Sequence, residues 1–134
     1  MPTMSISTNE FRVIIAGSRE FTDYELLKSK CDYYLSKKFE DPTCKIIIVS
    51  GHARGADELG ERYAKERGLG CEVFPANWDK YGKRAGFLRN ESMAEISNCA
   101  IIFMSAYGEN KGSKHMEKIA RDRHLLVRVV EEEA

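Results

Sequence analysis

Apolar residues in this chain collect in five short runs, Phe11–Ala16, Cys44–Ser50, Cys71–Phe74, Cys99–Met104 and Leu125–Val130. Continuous Ile/Val-rich runs of this length, bounded by turn residues, read as strands buried on both faces, as in a parallel sheet. The stretches between them carry a helical period instead. Thr22-Asp23-Tyr24-Glu25 reads as a capping box, with Thr22 at the cap, Glu25 reaching back, and Phe21 and Leu26 placed as a hydrophobic staple. Leu27, Cys31, Tyr34 and Leu35 then follow on one helical face. A second helix from Ala56 runs Leu59, Tyr63 and Ala64 along one side and stops at Gly68, a good residue just past a helix end. A third spans about Phe87 to Ser97. A fourth, with Met116, Ile119 and Ala120, follows a glycine-containing loop at Ser105–Ser113. The segment Ala76–Gly86 is polar and aromatic and is expected to be loop.

This alternation predicts a single Rossmann-like, three-layer α/β domain with a mostly parallel five-stranded sheet, helices on both faces and ligands at the strand carboxyl ends. The domain is expected over residues 11–130, after a loose polar leader at 1–10 and before an acidic tail at 131–134.

Lys+Arg and Asp+Glu are equal at 21 each, which argues against a protein that holds nucleic acid by bulk charge. No apolar run approaches membrane-spanning length, and Met1–Asn9 lacks an apolar signal core. Cys31, Cys44, Cys71 and Cys99 form no CxxC and sit within or beside predicted elements as small hydrophobes, which suits a reducing, cytoplasmic compartment. No cluster has metal-ligand spacing, so no metal site is expected. A divalent ion such as Mg would arrive with a ligand's phosphates.

The chemistry-bearing residues follow the strands. Ser50-Gly51-His52-Ala53-Arg54-Gly55-Ala56-Asp57 joins the second strand to its helix. Gly51 and Gly55 permit a tight turn and close backbone approach. The helix start offers unpaired amides and a positive dipole end, an anion site to which Arg54 adds a guanidinium. The same turn also reads as an ordinary strand-to-helix connection. Ser18 and Arg19 follow strand one, and Asn77, Trp78, Lys83 and Arg84 follow strand three. Ser105, Asn110, Lys111 and Ser113 follow strand four. A parallel sheet gathers all of these on one rim, whose cations, small residues and helix starts suit a phosphorylated ligand. Trp78 or Tyr81 either offers a face to a base or anchors its loop. Arg19 has an alternative partner in an acid on the next helix, Arg89 in Glu58 or Glu61, and Asp57 in the backbone amides at its own helix start. His52 is a candidate for acid–base work, and His115 and His124 are expected at the surface.

Val49-Ser50-Gly51-His52-Ala53-Arg54-Gly55-Ala56-Asp57 resembles the SGxARGxD motif of DprA/Smf proteins. Phe87-Leu88-Arg89-Asn90 with Met93 resembles both their RN segment and the ERKxxM segment of LOG phosphoribohydrolases, and Asn110-Lys111-Gly112-Ser113 falls at their phosphate turn. With Ala16-Gly17-Ser18-Arg19-Glu20-Phe21 and Arg84-Ala85-Gly86, the pattern is most similar to the YspA-like branch of the SLOG superfamily over about residues 11–130. The resemblance implies a Rossmann-like fold binding a nucleotide or nucleotide-derived ligand, with a homodimer built through helices flanking the pocket. It puts Gly17, Ser18 and Arg19, then Gly51, Arg54, Gly55 and Asp57, then Arg89 and Asn90, and finally Gly112 and Ser113 at the ligand. Met104-Ser105-Ala106-Tyr107-Gly108 replaces the PGG of the LOG motif, and the LOG glutamate is displaced to Glu117 with His115 nearer. A binding or sensing module is therefore the first expectation. A LOG-like nucleoside 5′-monophosphate N-glycosidase using Asp57, Arg89 and Glu117 is the alternative, and single-stranded DNA binding ranks third.

Overall fold

The computed structural model describes residues 9–133, so most of the expected leader, and Ala134, lie outside the described residues. Strand β1 (Asn9–Gly17) already takes in Asn9 and Glu10. It is followed by α1 (Tyr24–Tyr34), α2 (Ser36–Glu40), β2 (Cys44–Ser50), α3 (Ala56–Arg67), β3 (Gly70–Val73) and α4 (Trp78–Tyr81). After one 3-10 turn at Gly82–Arg84 come α5 (Ala85–Ile96), β4 (Cys99–Met104), α6 (Lys111–Asp122) and β5 (Leu126–Glu131). All five strands are parallel, in the order β3-β2-β1-β4-β5.

Alternate side chains of the central strands build two cores, one per face. Val13, Ile15, Ile46, Ile48, Ile101 and Phe103 pack under α1 and α3, where they meet Phe21, Leu27, Cys31 and Tyr63. Ile14, Ala16, Val49, Ala100 and Ile102 pack on the other face against Met93 and Ala94 of α5 and Met116 and Ala120 of α6. Each large side chain removed from water in this way stabilises the fold by roughly 1.5–3 kcal/mol. β4 is buried along its whole length, which is why its run is uninterrupted by polar residues.

Several boundaries differ from the sequence reading. Asp23, not Thr22, caps α1, its carboxylate accepting from the Leu26 amide at 3.0 Å. With Asp23 at the cap, Leu27 rather than Leu26 is the buried partner of Phe21 in the first turn. The expected loop before α6 is shorter than predicted: Lys111, Gly112 and Ser113 form the first turn of the helix. The loop at 76–86 contains α4 and the 3-10 turn. Glu131 and Glu132 of the expected acidic tail are instead tied down, because Glu131 belongs to β5 and the Glu132 carboxylate accepts from the Ser105 hydroxyl at 3.3 Å. Among the described residues no helix is long and apolar enough to cross a membrane.

The strand order reverses between β1 and β4, since the chain leaves β3 at one edge and returns beside β1. At such a switch point the loops after the two strands diverge to opposite faces and open a crevice at the carboxyl ends.

Candidate functional site

That crevice holds a cavity of about 430 Å³. Gly17, Ser18 and Arg19 reach it from the end of β1, Ala53 and Asp57 from the turn after β2, and Arg89, Asn90 and Met93 from α5. The start of α6 closes the far side with Lys111, Gly112 and Ser113. A second chamber of about 340 Å³ adjoins it, with Arg19, Ala53 and Arg89 in both walls. Gly51, His52, Arg54, Pro75, Ala76 and Trp78 complete the second chamber.

The first turn of α3 is filled by the protein itself. The Ala56 amide donates to the Ser18 carbonyl at 3.2 Å, and the Ala53 amide donates to the Asp57 carboxylate at 3.3 Å. Asp57 is only 5% exposed, and burial pushes its carboxyl up to about 6, against the opposing pull of the Ala53 amide and the Arg89 charge. At the anion site expected here, the Ala56 amide is thus already paired and the buried Asp57 carboxylate folds back onto the preceding turn. Gly55, at φ +85°, lies with its Cα against the Ser18 and Arg19 backbone and lines neither chamber. Its work is to let the β1 and β2 turns touch.

The open helix start is that of α6. Asn110 stands at its cap position without a capping bond, because its side chain is spent on the Ser105 backbone: Oδ1 accepts from the Ser105 amide and Nδ2 donates to the Ser105 carbonyl, both at 3.1 Å. The first turn of this twelve-residue helix, with Lys111, therefore borders the cavity without a side-chain cap on its amides. Ser113 is 4% exposed, lines the cavity, and its hydroxyl has no hydrogen-bond partner among the described residues. One other buried hydroxyl, that of Ser97, is also unpartnered, but it lies between α5 and β4 at the opposite end of the sheet.

Arg89 is held in place by a relay of neighbours. Its Nη1 donates to the Gly51 carbonyl at 2.6 Å, and its Nε donates to Asn90 Oδ1 at 3.0 Å. The Asn90 amide nitrogen faces His115 Nδ1 at 3.1 Å, and the His115 ring packs on Phe87 with centroids 4.2 Å apart. Burial lowers the His115 pKa, so it accepts from Asn90 as a neutral ring. His115 is therefore a half-buried positioning group, not the surface residue expected. Arg89 reaches neither Glu58 nor Glu61. A Cβ on Gly51 would stand 2.5 Å from Arg89 Nη1 and 2.8 Å from Asp57 Oδ2, so only glycine lets these two charged groups converge over the turn.

The remaining expected site residues divide. Arg54 pairs with Glu20 at 2.9 Å on the exposed lip of the second chamber. Arg19 has no ion pair among the described residues and is exposed on both chambers. Trp78 is half exposed and lines the second. Asn77 caps α4, accepting from the Lys80 amide at 3.1 Å, and lines neither chamber. Arg84 sits exposed in the 3-10 turn and Glu117 pairs with Arg121 at 3.0 Å along α6; neither lines a chamber. Residue 117 lies one position past the buried Met116, which turns it away from the sheet. Glu61, expected in the sequence only as an alternative partner of Arg89, instead accepts from the Ser50 hydroxyl at 2.7 Å and holds His52 Nδ1 at 2.8 Å.

Among curated proteins, the Gene 61 protein of Mycobacterium phage D29 is 29% identical over 121 residues, covering 87% of this chain and 93% of its own length. No solved structure matches. The family model that matches, described as the YspA, cpYpsA-related SLOG family, aligns to residues 11–81, the stretch that carries β1, the turn after β2 with Asp57, and Trp78. Because that match takes in more than half of the 134 residues, the chain belongs to the YspA, cpYpsA-related SLOG family.

Proposed function

We propose that this protein binds a phosphorylated, nucleotide-like ligand across the two chambers at the carboxyl ends of its sheet. Membership of the SLOG family fits a nucleotide-related binding or modifying module. The observation that carries the reading is the buried, unpartnered Ser113 hydroxyl in the uncapped first turn of α6, facing a cavity that Arg89, Arg19 and Lys111 also line. A lone helix start is a weak attractor. A helix start joined to an orphan donor, an ammonium and two guanidiniums matches the oxygens of a phosphate group. In this reading the phosphate lies against Ser113 and Lys111, Arg89 and Arg19 bridge the chambers, and the base lies on Trp78. Asn77, Arg84 and Gly55 support their loops and do not touch the ligand. Any Mg²⁺ would come with the phosphates, and a homodimer through the helices flanking the cavity remains part of the proposal, to be read from sedimentation.

Titration of the purified protein with nucleoside mono- and diphosphates by calorimetry tests the reading. Saturable binding that Arg89→Ala weakens by at least about 100-fold is expected, and no heat with any of them would refute it. A second reading, cleavage of the N-glycosidic bond, is favoured by one observation: a buried carboxyl, Asp57, raised to about 6 within the same cavity. Such cleavage uses a carboxylate to stabilise positive charge at the anomeric carbon or to activate water. It predicts free base in the chromatogram of a long incubation with nucleoside monophosphates, lost in Asp57→Asn.

A further inference from the structure

The second chamber contains a side-chain arrangement that ligand binding alone does not require. His52 Nδ1 lies 2.8 Å from Glu61 Oε2 and 3.1 Å from Oε1, so the ring nitrogen facing the carboxylate carries the proton and Nε2 is left as the acceptor. Glu61 is itself fixed, because the fully buried Ser50 hydroxyl donates to its Oε2 at 2.7 Å. The same hydroxyl oxygen accepts from the His52 amide at 3.0 Å, which ties ring, carboxylate and backbone into one closed set. His52 adopts φ +61°, a left-handed conformation that side chains rarely occupy. The other such residue, His124, simply follows the end of α6, where that geometry is ordinary.

We propose that His52, oriented by Glu61 and Ser50, is the proton acceptor for hydrolysis of a phosphorus–oxygen bond in the part of the ligand's phosphate chain that Arg19 and Arg89 hold between the two chambers. The inference rests on the reading that these chambers take a nucleotide-like ligand. Water is the co-substrate. Nε2 takes a proton from it, its oxygen bonds to phosphorus, and the bond from phosphorus to the leaving oxygen breaks with its electron pair on that oxygen. The imidazolium then returns the proton to the departing group or to solvent. Glu61 supports the imidazolium charge, as a carboxylate behind a catalytic histidine does elsewhere.

The charge of the chamber selects phosphorus over the anomeric carbon. Arg19 and Arg89 line the chamber with His52, while Arg54 at its lip is already paired with Glu20. Guanidiniums stabilise negative charge spreading over phosphoryl oxygens in the transition state. The same cations oppose the positive charge that develops on a sugar losing its base. Glu61, which could have offset them, is turned to His52.

The test incubates the full chain with three probes, ATP, ADP-ribose and bis(4-nitrophenyl) phosphate, following ³¹P spectra and nitrophenolate release while calorimetry reads binding separately. Wild-type protein is expected to cleave at least one. Asn tolerates the left-handed backbone, so His52→Asn keeps the turn and removes the acceptor. It should lower kcat by at least about 100-fold, within the range of general-base catalysis, and change Kd by less than about threefold. Glu61→Gln should lower kcat and leave KM near its wild-type value. It should also move the acid limb of the kcat profile to lower pH, because the hydrogen bond and charge of Glu61, with Glu58 and Asp57 behind it, hold the His52 pKa up against the ring's partial desolvation. His124→Asn should change nothing. Probes that bind but stay intact, release of free base with phosphates intact, or full turnover by His52→Asn each overturn the inference while leaving ligand binding in place. Absence of any probe binding overturns the binding reading beneath it as well.

Discussion

On the α1/α3 face, Tyr63, Asp32 and Arg67 complete one another's hydrogen bonds: the Tyr63 hydroxyl donates to Asp32 Oδ1 at 2.6 Å and Arg67 Nε donates to the same oxygen at 3.0 Å. Tyr24 likewise donates to Glu66 at 2.7 Å, with the Arg62 guanidinium over its ring. At the carboxyl rim beneath α5 and α6, by contrast, Ser113 is buried without a partner, Asp57 is buried with its carboxyl raised, and burial lowers the pKa of Arg89. A protein that can satisfy buried polar groups on one side of its sheet has no structural need to leave them unsatisfied on the other. Such residues cost stability and are retained where they meet something outside the chain. The unequal treatment of the two regions supports the proposal that the rim is the working part of the molecule and the α1/α3 face its support.

The comparison breaks most decisively at Arg89. Arg89→Ala removes the guanidinium shared by both chambers and should weaken nucleotide binding by at least about 100-fold, or about 3 kcal/mol, in calorimetry. Wild-type affinity in that variant would mean that the rim charges do not meet a ligand.

Asp57→Asn probes the opposite sign. The folded carboxyl titrates near 6 while an unfolded aspartate titrates near its ordinary value of 3.8. The folded state therefore holds its proton more tightly, and stability falls as pH rises from about 4 to about 6 and stays lower above it. Asn carries no charge to bury and still accepts from Ala53, so denaturant melts should show the variant more stable by about 2–3 kcal/mol at pH 7.5. The gain should vanish near pH 3.5. A gain independent of pH would show that the carboxyl is not strained by burial.

Tyr63→Phe tests the supporting face. Losing the hydroxyl leaves Asp32 its Arg67 partner, so destabilisation of about 1–1.5 kcal/mol is expected, with ligand affinity unchanged. A change in affinity would erase the distinction between the two regions.

How much of this was legible in the sequence depends on the length scale of the cause. β2 and β4 run over the residues their apolar runs marked, because burial on both faces removes every polar interruption. The Gly68 end of α3 was legible for a local reason too, the left-handed φ of +68° that glycine supplies. By comparison, α2 buries no residue and so has no periodicity to read. Thr22 and Asp23 are both good caps, and the choice between them follows from where buried Phe21 fixes the chain entering the helix. The site separates in the same way. Its rim of residues followed from strand order, and Gly17, Ser18, Arg19, Asp57, Arg89, Asn90, Lys111, Gly112 and Ser113 do meet at one cavity. Which helix start stays open did not follow, because it depends on Asn110 turning to Ser105 and on Asp57 folding back over its own turn. The pairing of Glu61 with His52 depends on a left-handed residue in the intervening loop, and no local pattern announces it.

Ser113→Ala gives the smallest effect and the sharpest division between the two regions. On the supporting face, deleting a buried hydroxyl breaks a bond and lowers stability. At Ser113 there is no bond to break, so removing an orphan polar atom from a buried position should raise the stability of the ligand-free protein, by about 0.5–1 kcal/mol. The same change deletes a donor from the proposed phosphate cradle and should weaken nucleotide binding about threefold to tenfold. Opposite signs in the melt and in the titration are what a residue held for a ligand must give. Lower stability in Ser113→Ala, with affinity untouched, would return Ser113 to the class of Tyr63, a group that serves the fold.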